Sequence, residues 1–189
     1  MKTPVKYVGI PALAVLMLAA MATAQQEATS NPIMSLIKQQ VALYGRNIAG
    51  GAEEMPADKY TFQPAPDVRS FAQLMLHVAQ FNNLMCSKLS GQPGPDIKAV
   101  KETDGKDKLV EVVKGSFEFC TTAINALDDS TLGKPFEMTL RSAGSLGPND
   151  LTRAQGLIIL AEDWFDHYST EALFLRMNGL LPPSAQKKP

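Results

Sequence analysis

The chain has 189 residues, of which 18 are Lys or Arg, 19 are Asp or Glu, two are His and two are Cys. That length fits one domain, and 20% charged with 45% hydrophobic residues is a globular rather than a disordered composition. A net charge of −1 without a basic block excludes the electrostatic footprint of a nucleic-acid binder. Two cysteines exclude a disulfide-dense scaffold or a four-cysteine zinc site, and two histidines limit any metal site to a small one that recruits other ligands.

The first segment has the three parts of a secretory signal peptide. Lys2 and Lys6 make a positive start without an acid, the run VGIPALAVLMLAAM is apolar, and Ala22-Thr23-Ala24 is an A-x-A cleavage site. The apolar run is shorter than the roughly 20 residues of a membrane span and contains Pro11, which disfavours an anchor. No Cys follows it, so lipid attachment is not expected. Residues 1–24 are therefore expected to be removed near Ala24, leaving 25–189 as one secreted or bacterial periplasmic domain with no stable membrane insertion. Losing two lysines leaves 16 basic against 19 acidic residues, a net charge of −3.

Four helical segments follow. The first opens at Asn31-Pro32, a cap residue and a first-position proline, with Ile33, Leu36, Ile37, Leu43, Tyr44 and Ile48 as its apolar stripe. Gly50-Gly51 weakens it and Pro56 marks where it has ended. Ser70 caps the second, Phe71, Leu74, Met75, Val78, Phe81, Met85 and Leu89 line its inner face, and Gly91 stops it. The third runs from Lys106 to Leu127 on Leu109, Val112, Val113, Phe117, Cys120 and Ile124. Asn149 or Asp150 caps the fourth, which ends at Asn178-Gly179 and carries Leu157, Leu160, Ala161, Trp164, Tyr168 and Leu175 inward. A short β-like turn around FEMTLR precedes it. The predicted fold class is all-α, a four-helix bundle. Its connections, about 15–20 residues each, are long enough for crossovers or for short elements of their own.

Both histidines fall on helices. His167 follows Asp163 by four residues, and i, i+4 spacing sets two side chains on one helix face. His77 on a neighbouring helix would complete a set of two imidazoles and one carboxylate. Three ligands with open positions suit a catalytic or ligand-binding divalent ion better than a closed structural one. The simpler reading is a hydrogen-bonded core histidine with an unrelated carboxylate. Glu162 and Asp166 are expected on other faces of the helix. Glu171, four after His167, is expected to be exposed, with orientation of His167 as its alternative role.

Cys86 and Cys120 face inward on the second and third helices, and an oxidising compartment permits a disulfide between them. Simple antiparallel pairing would set the two cysteines too far apart, so bridged and free states both remain open. No C-x-x-C is present. Met75 and Met85 read as core, no methionine cluster points to copper, and Trp164 and Tyr168 read as core anchors.

Two segments resemble the DinB family of four-helix bundles. RSFAQLMLHVAQFNNLMCSKLSG matches an R-S-F-x-E/Q-L-x-x-H helix that carries the family's first metal ligand, here His77. DWFDHYSTEALFLRMNGLLPPS matches H-x3-H-Y-G-x4-Y-L-R-x-x-G-x-x-P-P through His167, Arg176, Asn178, Gly179, Pro182 and Pro183, with Asp163 at the place of the first histidine. The resemblance covers Asn31 to Ser184. It implies a divalent transition metal, Zn²⁺, Ni²⁺, Mn²⁺ or Fe²⁺, held by His77, Asp163 and His167, with no organic cofactor evident. It further implies a metal-dependent hydrolase or thiol transferase acting on an unknown small molecule. Asp163 departs from the family at the metal itself, so the alternative is a noncatalytic helical bundle with a degenerate site, serving ligand binding or dimeric interaction. A homodimer formed through helix faces is a further expectation of the resemblance.

Overall fold

The computed structural model describes residues 30–136 and 151–187. Four helices carry the fold: α1 (Pro32–Glu54), α2 (Phe71–Ser90), α3 (Lys106–Asn125) and α4 (Arg153–Met177). Among the described residues no strand forms, and the only pairing of β type is an isolated bridge between Pro135 and Thr152. The connections hold short 3-10 turns at Ala57–Lys59, Glu102–Asp104 and Asp129–Thr131, and another follows α4 at Pro183–Ala185. The signal-like segment lies outside the described residues, as does all of the expected FEMTLR turn but Phe136.

Local chemistry sets most helix ends. Ser70 Oγ accepts from Gln73 N at 3.2 Å while Gln73 Oε1 accepts from Ser70 N at 2.9 Å, a reciprocal cap that starts α2. Gly91 ends α2 at φ 73°, a left-handed turn that a Cβ would penalise. The expected caps of the last helix, Asn149 and Asp150, lie outside the described residues, and the helix starts later. Thr152 with Gln155 caps α4 instead, through the same S/T-x-x-Q device. α3 stops at Asn125, two residues before the still buried Leu127.

The start of α1 is made from a distance. Asn31 gives no side-chain cap to its own helix; Asp129 accepts from Ile33 N at 3.2 Å and Met34 N at 2.8 Å, and donates its own N–H to Asn31 Oδ1 at 3.0 Å. The inner face of α1 also differs from the expected stripe. Met34, Ile37, Val41 and Ile48 are buried, whereas Ile33, Leu36 and Leu43 are exposed. Two overlapping apolar arcs run along this helix, and only contact with α3 and α4 decides which one turns inward.

α1 packs against α3 and α4, and α2 packs against the same two, so α1 and α2 take diagonal corners. The side-chain pairs give the directions. Asn82–Ser116 and Cys86–Cys120 share one offset of 34 residues, so α2 and α3 are parallel. α4 is antiparallel to α2, because His77 meets His167 while Asn82, further along α2, meets Trp164 at an earlier position of α4. It is parallel to α1, since Tyr44 lies beside Trp164 and Gly51 beside Glu171. Hence α1 and α4 run one way, α2 and α3 the other. Residues 91–105 must travel back along a helix that is about 30 Å long before α3 can begin.

This parallel pairing resolves the cysteines. Both sit near the same level, fully buried, and form a disulfide with Cα atoms 5.2 Å apart. The antiparallel offset that argued against a bridge does not arise. Next to it, the Trp164 indole donates to Asn82 Oδ1 at 2.6 Å and Asn82 Nδ2 donates to Ser116 Oγ at 3.0 Å, joining α4, α2 and α3 in the core. We expect the unreduced protein, unfolded in denaturant, to show no free thiol by reagent titration. Reduction should lower unfolding free energy by about 2–4 kcal/mol in urea melts, the range for a closed loop of this size.

Candidate metal centre

α2 presents His77 from its second turn, and α4 presents Asp163 and His167 one turn apart. The antiparallel crossing brings the three together. One ligand atom from each lies within 4.8 Å of the others. His167 Nε2 is 3.3 Å and His77 Nε2 4.0 Å from Asp163 Oδ1, and the two imidazole rings are 4.8 Å apart. All three residues named from the sequence are thus in one place.

The hydrogen bonding around them is uneven. Asp166 Oδ2 lies 3.0 Å from His167 Nδ1. A carboxylate only accepts, so Nδ1 of His167 carries the proton and Nε2 keeps its lone pair toward Asp163. His167 Nε2 and Asp163 Oδ2 are buried without a hydrogen-bond partner. His167 Nε2 stands 3.3 Å from Asp163 Oδ1, and a cation shared by the imidazole and the carboxylate would satisfy the lone pairs that burial leaves without a partner. The donor set of two imidazoles and one carboxylate therefore fits a divalent transition ion.

Burial pushes each group toward its neutral form. His77 is lowered to about 4, by desolvation first and then by the charges of Arg69 and His167. His167 is lowered as well, chiefly by desolvation, with Asp166 opposing. Asp163 is raised to about 7 by desolvation and then by Asp166, against the pull of Arg69. Neutral imidazoles are the form that ligates a metal. The side chains are 30% exposed at His77, 14% at Asp163 and 10% at His167, so the centre opens on the α2 side.

Glu171 is not where the sequence suggests. Instead of standing in solvent or orienting His167, it is completely buried, and neither carboxylate oxygen has a partner. Charged residues are usually exposed, and that rule fails here because Gly51 of α1 leaves the space for it. A Cβ at Gly51 would collide with the Glu171 carboxylate, which explains why a glycine stands inside an unbroken helix. Desolvation alone raises Glu171 well above the usual carboxylate range. The outer partner of His167 is Asp166, expected on another face; adjacency in sequence was its only signal. Trp164, Tyr168, Met75 and Met85 are buried in the core as expected.

An all-α bundle with long crossovers and this cluster between α2 and α4 is a recognisable class. The chain belongs to the DinB superfamily, whose family model matches residues 46–170. Among solved structures it is similar to a DinB-like protein, YjoA, of Bacillus subtilis, with TM-score 0.60 and 20% identity over 81% of this chain and 99% of that one. It is also similar to a conserved protein from Enterococcus faecalis, with TM-score 0.59 and 16% identity over 74% of this chain and 93% of that one. At these identities the likeness concerns the fold. No curated protein matches the sequence.

Two outcomes follow from the Glu171 pocket. Its acid is raised from 4.5, so its contribution to stability is present in full below pH 4.5 and is lost as pH rises above it, by up to about 1.4 kcal/mol per unit. Glu171→Gln should flatten that part of the profile and exceed the native chain in urea midpoint at pH 8 and above; parallel profiles would refute it. Gly51→Ala should cost about 1–3 kcal/mol through overpacking, read from the same melts.

Proposed function

We propose that this protein is an exported, metal-dependent member of the superfamily, in which His77, Asp163 and His167 hold one divalent transition ion. The observation that carries the reading is the pair of buried, unpartnered acceptors, His167 Nε2 and Asp163 Oδ2, in a cluster of three ligand atoms. Bound there with open positions, the ion would lower the pKa of a coordinated water or thiol and polarise a substrate. That chemistry serves a hydrolase or a thiol transferase acting on a small molecule. The chain supplies the rest. Asp166 holds the His167 ring and its tautomer, His77 lines the open side, and Trp164 beneath them is locked to Asn82. Export is supported by Lys2, Lys6, the apolar run and Ala22-Thr23-Ala24, and by a core disulfide of the kind that persists in a secreted or periplasmic setting. Among the described residues no helix is long and apolar enough to cross a membrane.

A second, noncatalytic reading has one observation in its favour. Leu36, Ile158 and Phe165 are all about half or more exposed along the groove between α1 and α4, an apolar strip suited to a second copy of the chain. Sedimentation of the native chain and of Phe165→Glu separates a dimer formed there from a monomer.

Elemental analysis of untagged protein tests the metal. We expect one equivalent of Zn²⁺, Ni²⁺, Mn²⁺ or Fe²⁺ after repletion, lost in His77→Ala and in His167→Ala. Asp166→Ala should keep the fold and weaken the ion about 10–100-fold, as losses of an outer partner do. No metal under any of the four repletions would refute the reading.

A further inference from the structure

We propose that the cleft between α1 and the C-terminal turn is a second binding site, which takes a small organic anion: a carboxylate or phosphate ester with a hydrogen-bonding group beside its charge. The inference does not depend on the metal reading above.

The cleft holds about 580 Å³, within the range of small-molecule sites, and none of its lining residues belongs to the metal cluster. Gly50 lies where α1 meets the turn, and a Cβ there would stand 3.2 Å from Pro183 Cγ. The C-terminal wall is held in place. Ser184 N donates to the Tyr168 hydroxyl at 2.9 Å, and Gln186 Nε2 donates to Leu181 O at 3.1 Å. On the other side, Lys114 of α3 is ion-paired with Glu53 of α1.

Asn47 carries the argument. It is only 7% exposed, yet it lines the cleft. Its side-chain amide makes no hydrogen bond among the described residues, and its polar atoms are not sealed away as the Glu171 oxygens are. A side-chain amide offers two N–H donors and an acceptor oxygen, and a buried one nearly always finds partners. Here they must come from whatever fills the cleft.

Charge then selects the ligand. Arg46 on α1 and Lys187 on the facing wall both line the cleft, and neither pairs with a carboxylate among the described residues. Lys114 and Glu53 neutralise each other. The remaining acid of the lining, Glu54, is eight residues from Arg46, about 12 Å further along the helix, so the Arg46 end is positive. A guanidinium presents paired N–H donors that match a carboxylate or phosphate edge. The Asn47 amide can then take the amide or hydroxyl beside that group.

The test titrates the ¹⁵N-labelled full chain and follows the Asn47 side-chain amide by NMR, its signals assigned by their loss in Asn47→Ala. N-acetylglycine and glycerol 3-phosphate are the anionic probes, with N-acetylglycinamide and glycerol as their neutral matches, all at constant ionic strength. We expect at least one anion to shift those signals saturably at millimolar concentration while its neutral match does not. The anion that binds more tightly tells carboxylate from phosphate. Arg46→Gln and Lys187→Gln, both at exposed positions, should each weaken that binding by about threefold or more, and EDTA should leave it unchanged. Arg46 also borders the neighbouring α1–α3 groove beside Gly45 and Phe117, whereas Lys187 does not. Unchanged affinity in Lys187→Gln would therefore place the anion in that groove and overturn the proposal. Equal binding of the neutral match, no saturable shift with either anion, or binding abolished by EDTA would overturn it as well, the last by placing the anion on a metal.

Discussion

Asn82 is the residue on which the arrangement turns. It is completely buried on α2, and its side-chain amide accepts from Trp164 on α4 and donates to Ser116 on α3. A buried amide left unpaired costs about 1–3 kcal/mol, so a helix slip that broke either bond would be penalised at once. The two bonds fix the register of three helices at a single level. The disulfide one turn further along α2 repeats the same offset toward α3. With α2 and α4 held antiparallel through Trp164, the His77 turn has to face the Asp163–His167 turn. The candidate centre is a consequence of that register.

The centre itself is electrostatically unusual for an aqueous mouth. Burial favours two neutral imidazoles and a neutral acid in the absence of a cation. Such a set could hold a divalent ion through its lone pairs, with one proton released, rather than through accumulated negative charge. Were an ion bound, the carboxylate of Asp163 would leave the centre one unit less positive than an imidazole in its place and would favour harder ions. Four residues beyond His167, Glu171 continues the same row along α4 into full burial. Gly51 makes room for it, so one substitution on α1 would be felt on α4.

Much of this was legible from local pattern. Three of the four helix starts announce themselves in Asn31-Pro32, Ser70-x-x-Gln73 and Thr152-x-x-Gln155, although Asn149 and Asp150, which also favour caps, compete with the last. The inner faces of α2 and α3 followed their periodicity closely. α1 did not, since its exposed Leu36 and buried Val41 have similar hydropathy and differ only in which neighbour lies opposite. Asp163 and His167 were legible together because they share one helix face. His77 could be added to them only as the chain's other helical histidine, with the resemblance in support, because no local rule relates residues on different helices.

By itself the sequence determined an all-α four-helix fold and set Asp163 and His167 on one helix face, because amphipathic period, caps and i, i+4 spacing are properties of single helices. Tertiary structure decided everything that depends on direction. The parallel course of α2 and α3 brings Cys86 to Cys120. A carboxylate 95 residues away supplies the cap that Asn31 does not give α1. The gap left by Gly51 turns Glu171 from a surface acid into a buried one. These are pairings between distant segments, and they arise only when long connections return each helix to a particular corner of the bundle.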